Sequence, residues 1–274
     1  MRPWARRSFT ETLRRLSIFL TISAIFSPGC TGLHRSVSPV PISLNEATAV
    51  ISRIQDQDKL VSSFYTTGSV AIKDGKWEPE AHILIAGTRS PLKIKLEITH
   101  PWGTPILHIL ISRENLQILS FNEKRLYVGD FIPEVLSRFL PGGFLSADLV
   151  WAVLRGYPNL ISGYRIVSLG VNRISLSNRD ETEIVDLYPE NRLPRQVSYP
   201  SRYIDLVFSE FQDENGVYYA RQVKVNSVEG KRGLHLKTGK MVFNRRIPER
   251  IFVLKSPAMF ETVYLDKITG SITE

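Results

Sequence analysis

The chain has 274 residues, 43% apolar and 23% charged, with 35 basic side chains against 27 acidic ones and a single cysteine. That balance describes one large or two modest globular domains and excludes a collagen-like fibre or a disordered tail. One cysteine and five histidines exclude a disulfide scaffold and a cysteine-rich zinc site, and no run reaches the roughly 18 uninterrupted apolar residues that cross a bilayer as a helix.

The net charge of +8 is unevenly spread. Residues 1–29 carry Arg2, Arg6, Arg7, Arg14 and Arg15 against Glu11 alone, a net of +4. Leu16 to Phe26 follows as an apolar run interrupted only by Ser17, Thr21 and Ser23, and Ser27, Pro28, Gly29 and Cys30 close it. A basic n-region, a short h-region and small residues before a cleavage point describe a secretory signal peptide. Export removes the protein from nucleic acid, so the basic balance is not read as a nucleic-acid signal. Residues 30–42, with Gly32, two Ser, two Pro and little hydrophobic periodicity, read as a tether.

Ser43-Leu44-Asn45-Glu46 is a capping box, and Ala47, Val50, Ile51, Ile54 and Val61 recur at helical spacing to about Ser62. Strand-like alternation then dominates. It is clearest at Leu92 to Ile98, with further runs at Phe64 to Ile72, Glu80 to Gly87, Ile106 to Ile111, Leu116 to Phe121, Tyr164 to Leu169 and Arg173 to Ser177. Thr182 to Tyr188, Tyr203 to Phe208, Val217 to Val225 and Leu234 to Phe243 complete the set, with turn signals such as Asp74-Gly75 and Asn215-Gly216 between them. About eleven strands with hairpin-length connections predict a mainly β (α+β) fold, a single antiparallel sheet. So many strands must curl.

One long interruption, residues 130–163, predicts two short helices. Pro133 opens the first, with Val135, Leu136 and Phe139 apolar until Pro141-Gly142-Gly143; Ser146 or Asp148 caps the second, with Leu149, Val150 and Val153 apolar until Gly156 and Pro158. Placed across the open face of a curved sheet, these helices are expected to act as a lid. Ile83, Ile85, Ile94, Leu96, Leu206 and Phe208 are the expected inward wall, suited to an apolar ligand. The same residues also suit a solid core, and alternation does not separate the two.

The leader and its cysteine resemble the lipobox of bacterial lipoproteins, with Ser27 where that motif usually carries Leu. The resemblance implies that Cys30 is acylated and becomes the mature N-terminus, and Thr31 after it implies onward sorting to the outer membrane. The order of elements is similar to the LolA/LolB lipoprotein-carrier superfamily. Three local features carry the likeness to its LolB side: Phe64 to Ile72 with Gly68; Pro101-Trp102-Gly103, resembling a turn that presents a membrane-inserting residue; and Trp151, Arg155, Gly156 and Pro158 at the end of the second lid helix. Asn244-Arg245-Arg246-Ile247-Pro248 is similar to a related branch of outer-membrane lipoproteins. The resemblance implies an unclosed β-barrel that holds lipoprotein acyl chains or phospholipid without covalent chemistry and delivers them to the outer membrane, as a monomer, after hand-over from a periplasmic lipoprotein chaperone.

No Walker A, dinucleotide fingerprint, H-E-x-x-H or G-x-S-x-G pattern is present, and His82, His100, His108 and His235 lie far apart on strands or strand ends. No enzyme, metal or cofactor is expected. Lys231, Arg232, Lys237, Lys240, Arg245, Arg246 and Arg250 form a basic C-terminal stretch. It suits solubility and protection of a sheet edge. The alternative function is a structural or assembly lipoprotein that binds an envelope partner through that edge.

Overall fold

The computed structural model describes residues 40–77, 79–140, 146–227 and 229–265. The signal peptide, Cys30, most of the tether and Pro141-Gly142-Gly143 lie outside the described residues.

Helix α1 (Leu44–Lys59) begins where the capping box places it: the Ser43 hydroxyl accepts the Glu46 N–H at 3.2 Å. Ala47, Val50, Ile51 and Ile54 form its buried stripe. The helix stops three residues before Ser62 because Asn244 takes over the joint. Its side-chain amide donates to Leu60 O (2.8 Å), and its carbonyl oxygen accepts from Ser62 N (2.8 Å).

The strands are β1 (Ser63–Asp74), β2 (Lys76–Trp77), β3 (Ala81–Arg89), β4 (Leu92–Thr99), β5 (Pro105–Ser112), β6 (Asn115–Ser120) and β7 (Arg125–Asp130), then, after the helices, β8 (Arg165–Gly170), β9 (Arg173–Ser177), β10 (Thr182–Leu187), β11 (Pro194–Tyr199), β12 (Ile204–Glu214), β13 (Val217–Ser227), β14 (Arg232–Thr238), β15 (Val242–Phe243) and β16 (Glu261–Tyr264). Among the described residues they form one sheet in the order β16-β7-β6-β5-β4-β3-β1-β14-β13-β12-β11-β10-β9-β8, with β2 and β15 also on β1. This curved, largely antiparallel sheet is not closed into a barrel.

Two features differ from a simple run of hairpins. β1 pairs with both β3 and β14, which joins the start of the meander to its end. The sheet therefore runs as one continuous path whose two edges are β16 and β8. The two helices of the insert, α2 (Pro133–Phe139) and α3 (Ala147–Arg155), lie in the chain between β7 and β8. The second difference is β16, which lies parallel to β7 and covers its free edge, shielding backbone groups that would otherwise be open to another strand.

Register sets the inner face. Ile111, Ile94, Gly87 and Phe64 form one cross-strand row; Ile109, Leu96, Ile85 and Thr66 the next; Leu107, Ile98, Ile83 and Gly68 a third. Ala81, Val70, Leu236, Val223 and Phe208 carry the face into the other half. The expected strand Leu234 to Phe243 is two strands, since the chain breaks from the ladder between Thr238 and Val242. The tight turn after β12 is the expected one: Asn215 (φ +56°) and Gly216 (φ +83°) both take the left-handed region that a two-residue hairpin needs.

Candidate functional site

The inner face is packed against a helix in one part and holds a cavity in another. α3 fills the first. Ser146 caps it through Leu149 N–H (3.3 Å), and every residue of it except Asp148 is buried. The Trp151 indole meets Phe64 edge to face, with ring centroids 4.9 Å apart. Position 87 has to be glycine beneath that pair, because a Cβ there would stand 2.8 Å from Phe64 Cε1 and 3.1 Å from Trp151 Cζ3.

The C-terminal end of α3 is pinned as firmly. Gly156 has φ +74° and packs so tightly on β13 that a Cβ would fall 2.4 Å from Ala220 O; its own carbonyl accepts Ala220 N–H at 2.7 Å. Arg155 is fully buried. It donates to the Gln57 carbonyl of α1 at 2.5 Å and faces Asp58 at 3.6 Å, with its guanidinium 4.9 Å above the Tyr157 ring. Arg89 reaches the same carboxylate at 3.2 Å and stacks over Trp151. Burial lowers the Arg155 pKa to about 10 despite the opposing attraction of Asp58, and raises that of Tyr157 to about 12. Both shifts reflect removal of the charged form from water.

The other part holds a cavity of about 310 Å³. Val70 and Ile72 of β1, Ala81 of β3, Ile98 of β4 and Leu107 of β5 line it, and so does Phe139, the last residue of α2. Pro79, His100, Pro101, Trp102 and Ile106 complete the apolar and aromatic lining. Glu80 also lines the cavity, its carboxylate bound by Lys237 and by Ser69 (3.0 Å), and these hydrogen bonds hold its pKa below the usual carboxylate range.

Trp102 is 74% exposed and stacks flat on His100, with centroids 4.4 Å apart and planes 5° from parallel. The pair makes an aromatic plate beside the cavity. Trp77 of β2, 48% exposed, lies at a turn on the same rim of the sheet.

Of the residues singled out by sequence, Phe139 and Trp102 border this cavity. Ile83, Ile85, Ile94, Leu96, Leu206, Phe208, Val135, Leu136, Leu149, Val150 and Val153 are all buried together in one packed cluster. Sequence reasoning passed over Val70, Ile72, Ala81, Ile98 and Leu107. Their signal was available, since Ala81 and Ile98 continue the inward parity of Ile83 and Leu96 by one step toward the strand ends. Which end of each stripe the helices leave uncovered is not written in that parity.

The basic stretch is partly neutralised. Lys231 pairs with Glu229, Arg232 with Asp74, Lys237 with Glu80 and Lys240 with Glu214. Among the described residues no cluster of three His, Cys, Asp or Glu side chains is placed to hold a metal ion, and no helix is long and apolar enough to cross a membrane.

Solved structures with this arrangement are distant in sequence. A DUF1329 family protein from Desulfovibrio piger matches with a TM-score of 0.55 at 10% identity, over 76% of this chain and 97% of that one. A putative outer membrane lipoprotein-sorting protein domain from Vibrio parahaemolyticus matches with a TM-score of 0.53 at 12% identity, over 76% and 96%. A LolA superfamily protein from Nitrosomonas europaea gives 0.52 at 12% identity, over 76% and 97%. The fold is LolA-like. No family model and no curated protein matches the sequence, so the LolA-like likeness is one of architecture.

Proposed function

We propose that this protein is an envelope lipoprotein that binds hydrocarbon chains of lipids or lipoproteins in the cavity beside Trp102 and delivers them to the outer membrane. The observation that carries the reading is the apolar hollow of about 310 Å³ at the rim of a LolA-like sheet, bordered by an exposed tryptophan. Two of the similar structures are described as a LolA superfamily protein and a putative lipoprotein-sorting domain, which fits the same role. Acylation of Cys30 would anchor the chain to the membrane from the periplasmic side, several acyl chains holding more firmly than one.

The parts divide the work. Each methylene leaving water for the cavity contributes about 0.8 kcal/mol, so hydrocarbon supplies the driving force without a charged contact in the wall. α2 is the gate in this reading. It is short, its first turn has no side-chain cap, and its terminal Phe139 lines the cavity. α3, held by Trp151, Arg155 and Gly156, stays in place as a fixed plug. Trp102 meets the bilayer interface, where an indole keeps its N–H hydrated while its ring enters the acyl boundary.

The partner-binding scaffold is less favoured, since four of the basic side chains that would form its docking edge already pair with acids. Native mass spectrometry of the full chain carrying Cys30→Ser tests the carrier reading. Fatty acid or phospholipid bound to the protein supports it; failure to take up any lipid, including a fluorescent fatty acid, rejects it.

A further inference from the structure

We infer that the cavity accepts a single hydrocarbon chain and excludes lipids that must bury two or three. The inference rests on the carrier reading and adds the class of ligand: a one-chain amphiphile, either a free fatty acid or a lysophospholipid, whose polar head stays at the His100–Trp102 plate.

Volume is the first argument. If a methylene fills about 30 Å³, roughly the share of one water molecule in the liquid, a cavity of about 310 Å³ is filled by one chain of about ten methylenes. Two sixteen-carbon chains need on the order of 1,000 Å³ by the same measure.

The cavity cannot extend along the sheet toward α3. The inner face beyond it is occupied by Trp151 packed on Phe64 over Gly87. Moving α3 aside breaks the buried Arg155 contacts to Gln57 and Asp58 and the close Gly156–Ala220 approach together. Leaving buried charges unpaired is strongly unfavourable. Retreat of α2 moves Phe139 from the cavity but leaves the packing of Trp151 on Phe64 in place.

Glu80 is the one carboxylate in the lining and is bound to Lys237 and Ser69, while Val70, Ile72, Ala81, Ile98 and Leu107 are apolar. A head group gains nothing by entering, and a chain does.

The test measures affinities of the full chain carrying Cys30→Ser for saturated fatty acids from hexanoate to octadecanoate, for a lysophosphatidylethanolamine and for a two-chain phosphatidylethanolamine. Affinity is expected to rise by about fourfold per methylene and to level off near ten to twelve carbons. The one-chain phospholipid should bind at least about tenfold more tightly than the two-chain one, a difference of about 1.4 kcal/mol. Comparison of the fatty acid and lysophospholipid arms tells which source of the chain is preferred. A steady rise to octadecanoate, or equal or tighter binding of the two-chain lipid, overturns the one-chain inference and leaves the carrier reading standing. Binding of none of the probes overturns the carrier reading itself, and the inference with it.

Discussion

Arg155 and Asp58 face each other at 3.6 Å across the junction of α3 and α1, with the guanidinium fully buried and its other nitrogen on the Gln57 carbonyl. The carboxylate is shared with Arg89, so one acid joins the first helix, the second helix of the insert and the end of β3. Arg155→Met removes a charge that only this geometry compensates, yet leaves Asp58 its Arg89 partner. Arg155→Ala loses the stacking on Tyr157 as well. We expect the alanine variant to lose about 3–5 kcal/mol in urea unfolding and the methionine variant clearly less; equal losses would show that the lost charge rather than the lost packing decides the effect.

The Phe64–Trp151 contact predicts a second pair of results. Trp151→Ala empties a large volume in a rigid part of the core and should cost about 3–5 kcal/mol. Gly87→Ala forces a methyl group against two rings and should cost about 1–3 kcal/mol by overpacking. In the double variant the freed space accepts the methyl, so the two losses should not add. Strict additivity would mean that the rings and position 87 do not touch in solution.

Glu183 sets a pH dependence. It lies buried on β10, accepts the Ile161 N–H at 3.1 Å, and its pKa is pushed from 4.5 up to about 7, chiefly by burial. Between those values the folded protein holds the proton more tightly than the unfolded chain does. The contribution to stability is therefore complete below pH 4.5 and is lost as the pH rises to about 7, on the order of 3 kcal/mol in all. Glu183→Gln, neutral throughout, should flatten this part of the stability curve and raise the melting temperature at pH 8. Chemical denaturation of both proteins from pH 4 to pH 8 reads the difference, and parallel curves would remove Glu183 as the cause.

Trp102 separates folding from delivery. Its side chain is 74% exposed and stacks only on His100, so Trp102→Glu should leave stability within about 0.5 kcal/mol. Transfer of a fluorescent lipid from protein to vesicles should fall sharply, because a carboxylate resists the interface that an indole prefers. Undiminished transfer would assign bilayer contact to another part of the rim, such as Trp77.

Much of the architecture was legible in sequence because periodicity and punctuation are local. The capping box at Ser43, the alternation of Leu92 to Ile98, the Asn215-Gly216 turn and the Pro133 and Ser146 helix starts each reappear where the residue pattern put them. β2, β7, β11 and β16 escaped notice, β2 because it is only two residues long. Arg125–Asp130 and Pro194–Tyr199 mix charge, Gly or Pro into short runs, and Glu261–Tyr264 is a brief edge strand with little to bury.

Sequence alone determined that this is an antiparallel β protein with an apolar inner face, a capped first helix and a two-helix insert, since each of these depends on spacing within a dozen residues. Tertiary structure alone decided that β1 closes the meander onto β14, that Asp58 meets Arg155 from nearly a hundred positions away, and that Trp151 fills one part of the inner face while the part lined by Phe139 stays hollow. An inward stripe reads the same whether a helix or a ligand covers it. Only the placement of distant side chains in three dimensions distinguishes filled space from empty space.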